Sequence, residues 1–181
     1  MKTKLLIFAL LFITSVSLKA GDPASGFAAD YIGLVSYAEG KVIKLAEAIP
    51  QDKMSWRPAE GVRSNAEVYL HIAQSTKYLL AALGEEVPEE YNANPKDFES
   101  STTDIAEISK ILKSSFNYCK EAAAKVDDEK LNSKVNFFGN EVTVRFVLEA
   151  MHGHIHEHLG QAIAYARMAG VTPPWSEKGE N

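Results

Sequence analysis

The sequence predicts an all-α fold, a four-helix bundle with a long crossover between its second and third helices. Three observations lead to this prediction. Apolar residues recur every three or four positions along four segments, helix start and stop signals separate these segments, and one separating segment is too long for a tight turn. Helical segments of roughly two dozen residues are typical of such a bundle.

The first 20 residues are predicted to be a secretory signal peptide rather than part of the fold. Lysines precede an apolar run from Leu5 to Val16, and Ala20 offers a small residue for cleavage. At roughly a dozen residues, the run is too short to span a membrane as a helix. We therefore expect an exported protein, periplasmic or secreted. Its mature chain, residues 21–181, would form one domain with no integral membrane segment.

The first two helices have clear boundaries in the sequence. The apolar period runs through residues 27–49, and Pro50 ends it. The second helix is predicted over residues 64–83 and begins with a capping box. In this motif the Ser64 hydroxyl and the Glu67 carboxylate each satisfy a free amide of the first helical turn.

The crossover follows the second helix, because residues 85–101 contain two prolines and show no apolar period. We expect this segment to be a long linker. Its roughly 17 residues can extend over about 55 Å, whereas a helix of 20 residues is about 30 Å long. The segment can therefore cross the bundle and leave the second and third helices parallel. The third helix is predicted over about residues 103–126 and the fourth over about residues 142–170.

Charge and cysteine content exclude some classes of protein. Without the three lysines of the signal peptide, the net charge changes from −5 to −8, and no basic stripe remains. This argues against nucleic acid as a partner. Cys119 is the single cysteine, so no disulfide can form within the chain, and we expect a small core residue.

Four of the five histidines lie in residues 152–158. A strand would place all four on one face, but the helical apolar period continues through them and favours a helix. On that helix, His154 and His158 fall at or inside the apolar stripe, whereas His152 and His156 point mostly outward. Two imidazoles at this spacing can bind one metal ion. The alternative is a pair of packed core histidines that bond to backbone or carboxylate groups.

A third ligand is available on the second helix. His71 lies at the inner edge of that helix's apolar stripe, so it could complete a triad with His154 and His158. Three neutral histidines with one open position are typical of a catalytic metal site rather than a closed structural one. Gln161 and Tyr165 share the face of the histidine pair and could orient a ligand or hold a bound molecule.

Glu157 is a weaker candidate on the fourth helix. It could be a carboxylate that supports a ligand, and the alternative is an ordinary surface residue.

Over roughly residues 27–175, the chain resembles the DinB-like (DinB/YfiT) superfamily of four-helix metalloproteins. The resemblance rests on Trp56-Arg-Pro58, Ser64 through Glu67 to His71, His154-Ile-His-Glu-His158-Leu-Gly-Gln161, Ala164-Tyr165-Ala-Arg167, and Gly170-Val-Thr-Pro173-Pro174. It implies a bundle with a crossover between helices 2 and 3. It also implies a zinc or nickel site with one histidine from helix 2 and two from helix 4, at the positions of His71, His154 and His158.

The resemblance implies activities but does not select one. Characterised members include transferases and isomerases that use low-molecular-weight thiols, and other members have no assigned activity. Two features depart from the family pattern. The family is mostly intracellular, whereas this chain carries an export signal, and His152 and His156 are additional histidines.

Two classes of function follow from this interpretation. The first is an enzyme, either a metal-dependent thiol S-transferase or a hydrolase that activates water. The second is a non-catalytic protein that binds a metal ion or another small ligand. The expected partners are a divalent metal ion and a low-molecular-weight thiol or other small molecule. The oligomeric state stays open, with a homodimer as one alternative.

Overall fold

The structure is a computed structural model that describes residues 26–176, and this part of the chain contains six helices and one two-stranded sheet. The predicted signal peptide, residues 1–20, lies outside the described residues. No helix among residues 26–176 has both the length and the apolar character that a membrane span requires. The elements are α1 (Gly26–Ala48), α2 (Asn65–Leu83), α3 (Pro95–Glu99), α4 (Ile105–Ala124), α5 (Asp128–Asn132), β1 (Lys134–Phe137), β2 (Asn140–Thr143) and α6 (Val144–Met168).

The four long helices α1, α2, α4 and α6 form the predicted bundle. α1 and α2 each pack against both α4 and α6, so they occupy opposite corners. Each helix contributes fully buried leucines to the interior, represented by Leu45, Leu70, Leu112 and Leu148. The apolar period of each helix therefore faces one common core.

The crossover between the second and third long helices is confirmed. Thr76 on α2 lies against Cys119 on α4, with 3.3 Å between the hydroxyl oxygen and the sulfur. Further along both segments, Lys125 pairs with Glu85. The residue numbers rise together, so α2 and α4 are parallel, and the connection must run the length of the bundle.

The crossover contains short regular elements that the sequence pattern did not indicate. It contains a 3₁₀ turn (Glu89–Asn92) and α3 (Pro95–Glu99). Asn94 caps α3 by accepting the backbone N–H of Lys96 at 3.0 Å, and Pro95 takes a first-turn position where its missing N–H costs nothing. These elements are too short to show an apolar period, but buried Tyr91 and Phe98 fix the segment against the bundle.

The connection between α4 and α6 also contains structure that the apolar pattern did not indicate. α5 is followed by an antiparallel hairpin in which Phe137 pairs with Asn140 across a two-residue turn. Pairing continues to Thr143, which caps α6 by accepting the backbone N–H of Phe146 at 3.2 Å. As a result α6 begins two residues later than predicted. The hairpin packs against α2 and α6.

The start of α2 is as predicted. The Ser64 side chain accepts the backbone N–H of Glu67, and the Glu67 carboxylate accepts the backbone N–H of Ser64. This reciprocal cap fixes the first turn of α2, which places His71 two turns into the helix.

Candidate metal centre

Three histidines from two antiparallel helices meet in the groove between α2 and α6. Each of His71, His154 and His158 offers one ring nitrogen, and these three nitrogens lie within 4.8 Å of one another. The ring centroids are 4.5 Å apart for the pairs His71–His158 and His154–His158, and 5.0 Å apart for His71–His154. Among residues 26–176, this is the one group of three or more His, Cys, Asp or Glu side chains able to share a metal ion.

Glu99 at the end of α3 orients the ring of His71. Its Oε1 accepts the Nδ1–H of His71 at 2.7 Å, since a carboxylate can only accept. Arg63 binds the same carboxylate through two hydrogen bonds. Its Nε donates to Oε2 at 2.8 Å, and its Nη2 donates to Oε1 at 3.1 Å. With its proton held on Nδ1, the neutral ring keeps a lone pair on Nε2, the form that binds a metal.

The Glu99 carboxylate accepts the hydrogen bond from His71 in its ionised state, and its surroundings favour that state. Glu99 is only 8% exposed. Burial alone would raise the pKa of its carboxyl, but the hydrogen bonds from Arg63 and His71 outweigh burial and lower the pKa. Glu99 is therefore ionised at neutral pH and remains an acceptor for His71.

His158 is oriented by the predicted partner on its own helix. Its Nδ1–H donates to Gln161 Oε1 at 2.7 Å, and Gln161 Nε2 donates to the Tyr165 hydroxyl at 3.1 Å. The Tyr165 ring meets Trp56 edge to face, with 6.0 Å between the centroids. The chain from Trp56 to His158 fixes the imidazole and again leaves Nε2 free for a ligand.

His154 has no such partner, and this suits a metal ligand. Its Nε2 is buried and has no hydrogen bond among the described residues. Burial, followed by the nearby His158, His71 and Arg63, lowers the pKa of His154 to about 4. The ring is therefore neutral at pH 7. An unpaired buried nitrogen is costly unless a ligand satisfies it, so the donor set fits a divalent metal ion.

The remaining candidates lie outside this cluster. Glu157 is exposed. His152 and His156 form a separate pair with ring centroids 4.3 Å apart. They are half-buried rather than open to solvent. Cys119 is buried in the core, where burial raises the pKa of its thiol to about 11.

Sequence reasoning missed Arg63 and Glu99. Arg63 lies just before α2, and Glu99 is the last residue of the five-residue α3, so neither lies on a helix long enough to show an apolar period that could place it. The Asn94-Pro95 start signal could have located α3, but not the direction in which Glu99 points.

Known proteins share this sequence pattern and this fold. A sequence profile of the DinB superfamily matches residues 36–162. The protein YjoA of Bacillus subtilis (strain 168), named as uncharacterized, is 31% identical over 137 residues, which is 71% of this chain and 82% of that protein. A DinB-like protein from Bacillus cereus ATCC 10987 superposes with a TM-score of 0.69 at 21% identity, over 80% of this chain and 93% of that one.

A further structure is similar in fold. YfiT from Bacillus subtilis, described as a probable metal-dependent hydrolase with an unusual four-helix bundle topology, superposes with a TM-score of 0.65 at 16% identity. The match covers 80% of this chain and 89% of YfiT. The likeness to both structures agrees with the bundle topology described above.

Proposed function

The chain belongs to the DinB superfamily, and we propose that it binds one divalent metal ion through His71, His154 and His158. The observation that carries the proposal is the convergence of three imidazoles, one of which has a buried nitrogen with no hydrogen-bond partner in residues 26–176. Three nitrogen ligands suit zinc or nickel, and they leave a coordination position open. We propose one of these two metals.

We propose that this metal site is catalytic. A divalent ion bound there would supply Lewis acidity, which lowers the pKa of a thiol or water molecule that enters the open position. The residues of the chain provide the rest. Glu99, held by Arg63, keeps the proton of His71 on Nδ1, and Gln161 does the same for His158, so both rings keep an orientation that leaves Nε2 free for a ligand.

The first candidate reaction is thiol transfer. Glu99 is the one carboxylate that hydrogen-bonds to a ring of the triad among the described residues, and it is fully engaged by His71 and Arg63. Glu99 is therefore not free to act as a general base for water. A thiol needs no such base, because it becomes a strong nucleophile once it loses its own proton. This favours a metal-dependent thiol S-transferase.

The second candidate reaction is hydrolysis. It is favoured by the likeness to YfiT, which is described as a probable metal-dependent hydrolase. Export would favour it too, because the mature chain would be separated from the thiols that are abundant in the cytosol. If neither reaction occurs, the site is that of a non-catalytic metal or small-ligand binding protein.

Metal analysis and cobalt substitution test these proposals in sequence. After chelation and reloading, the purified mature protein should contain about one divalent ion per chain. In the cobalt form, a small thiol that enters the coordination sphere should give a sulfur-to-metal charge-transfer band, and His154→Gln should remove it. The band should develop well below the ordinary pKa of a free thiol.

Each outcome of the cobalt experiment has a consequence. A fully loaded protein that gives no band with any small thiol would exclude thiol transfer, and assays with esters and amides would then test hydrolysis. A protein that does not retain zinc, nickel or cobalt would refute the metal site itself.

We also propose that residues 1–20 direct export and are removed near Ala20. Mass spectrometry of the protein from its native host should find a new N-terminus near Gly21, whereas a mature cytosolic protein that keeps Met1 would contradict export. A homodimer stays a prediction, and sedimentation of the mature chain would test it.

A further inference from the structure

A cavity of about 370 Å³ lies beside the triad, between α2, α6 and the hairpin. Its walls are mainly apolar and include the rings of Tyr78, Phe137 and Phe138 and the side chain of Met151, and His154 also lines it. The volume falls in the range of small-molecule sites. The cavity therefore adjoins the proposed metal site through one of its three ligands.

Phe138 occupies a backbone position that does not suit it. It forms the two-residue hairpin turn with Gly139, and both have positive φ, +50° and +82°. Such turns favour Asn-Gly or Asp-Gly, because a bulky side chain is disfavoured in the left-handed region. The local conformation thus does not explain a phenylalanine here.

Burial does not explain Phe138 either, since its side chain is 66% exposed. The ring instead takes part in an aromatic wall. Its centroid lies 4.9 Å from that of Tyr78 and 4.6 Å from that of Phe137. Both neighbours line the cavity. Phe138 therefore adds an aromatic surface to the edge of the cavity, although its backbone conformation is unfavourable and its apolar ring is exposed to solvent.

We propose that this cavity binds an uncharged aromatic group of the substrate, held against Tyr78, Phe137 and Phe138, while the reacting group lies at the triad. This inference rests on the proposed function for the reacting group. Flat rings pack best against such walls in offset or edge-to-face contacts. Glu157 is the charged residue that lines the cavity, and its carboxylate disfavours an anionic group there.

Methyl NMR tests the cavity without any metal. In the metal-free mature protein with ¹³C-labelled methionine methyls, titration with benzyl alcohol should shift the Met151 signal in a saturable way. The signals of buried Met54 and exposed Met168, which do not line the cavity, are internal controls. Benzoate has the same ring with a negative charge and should bind more weakly.

A substitution in the turn separates a ligand-binding role from a structural one. Phe138→Asn creates the favoured Asn-Gly turn, so the thermal midpoint should stay the same or rise. The affinity for benzyl alcohol should nevertheless fall by about five- to tenfold, as expected for the loss of one aromatic contact. Tyr37→Gln removes an exposed ring from α1 and should leave the affinity unchanged.

A second variant guards against an effect of the turn itself. A Cβ built at Gly153 meets no atom within 4 Å, so Gly153→Leu should fit on α6 and fill the cavity from one wall. It should abolish the Met151 response to benzyl alcohol.

The inference is overturned if Met151 does not respond to benzyl alcohol in the wild type, or if Phe138→Asn binds it as tightly. It is also overturned if the Met151 signal shifts with protein concentration alone, because a second copy would then occupy the cavity. Failure of the proposed function looks different, since metal loading would fail while the benzyl alcohol response persists.

Discussion

The two histidine pairs of α6 have the same residue type and the same spacing but different surroundings. His154 and His158 face α2, which supplies His71 as a third ring. His152 and His156 have no third partner of that kind among residues 26–176. The spacing of two histidines along one helix is therefore enough for weak metal binding. A ligand from a second, facing helix determines which histidine pair forms a three-ligand metal site.

The two pairs also differ in how their rings are held. In the triad, side chains fix two of the rings, with Glu99 bound to His71 and Gln161 bound to His158. In the outer pair, the Nδ1–H of His156 donates to the main-chain carbonyl of His152 at 3.1 Å, a contact that any helical histidine can make. Within the described part of the chain, side chains that orient the rings are therefore found at the triad and not at the outer pair.

Removal of a triad ligand should have the largest effect. His71→Ala should weaken zinc binding by more than about 100-fold, because loss of an orienting partner alone costs about 10–100-fold. The control double variant His152→Ala/His156→Ala removes the two outer histidines of α6 and should keep one tight site. Competition with a chromophoric chelator measures both affinities. If the double variant loses the tight site and His71→Ala keeps it, the assignment of the two pairs is reversed.

Loss of the charge behind His71 should have the next largest effect. Glu99→Gln keeps an acceptor near His71 but removes the anion that Arg63 and His71 share, so zinc affinity should fall by about 10–100-fold. Glu89→Gln, an exposed carboxylate of the same crossover, is the matched control and should bind zinc like the wild type. Equal affinity in the two variants would show that Glu99 has only a structural role.

Glu99 also marks the limit of what the sequence could predict. The inner faces of α2 and α6 follow from the apolar period, so the sequence could place His71, His154 and His158 toward one interior and Gln161 beside them. Glu99 lies near the site because of the course that the crossover takes across the bundle, and the apolar pattern of the sequence does not indicate that course. Phe138 escaped prediction for a related reason, because it lies in a turn between two four-residue strands that are too short to reveal their alternation.

Acid should destabilise the metal-free protein through the triad more than through the outer pair. The pKa of His154 is lowered to about 4. Between that value and the pKa of about 6.5 of an unfolded histidine, the unfolded chain takes up a proton that the folded chain does not. Stability must therefore fall as the pH falls through this window. Because the ring is only half-buried and solvent screens its charge, we expect a loss on the order of 1–2 kcal/mol.

Urea unfolding of the metal-free protein at pH 7.5 and pH 5 measures this loss. His154→Leu should reduce the difference between the two pH values, and His152→Leu should reduce it less. The pKa of His152 is also lowered, by burial and then by His156, but this ring is less buried. A larger change in His152→Leu than in His154→Leu would show that acid acts mainly on the outer pair.

The smallest effect should come from the unpaired nitrogen of the outer pair. His152 Nε2 is buried without a hydrogen bond among the described residues, like His154 Nε2, but it has no third histidine to share a ligand with. A buried polar atom without a partner costs stability, and an apolar replacement of similar size removes that cost. His152→Leu should therefore raise the free energy of unfolding at pH 7.5 by up to about 1 kcal/mol, with zinc affinity unchanged. The metal-free His154→Leu variant should also be at least as stable as the wild type, but it should no longer bind zinc tightly. A drop in both stability and zinc affinity in His152→Leu would mean that the two pairs act as one centre, contrary to the comparison above.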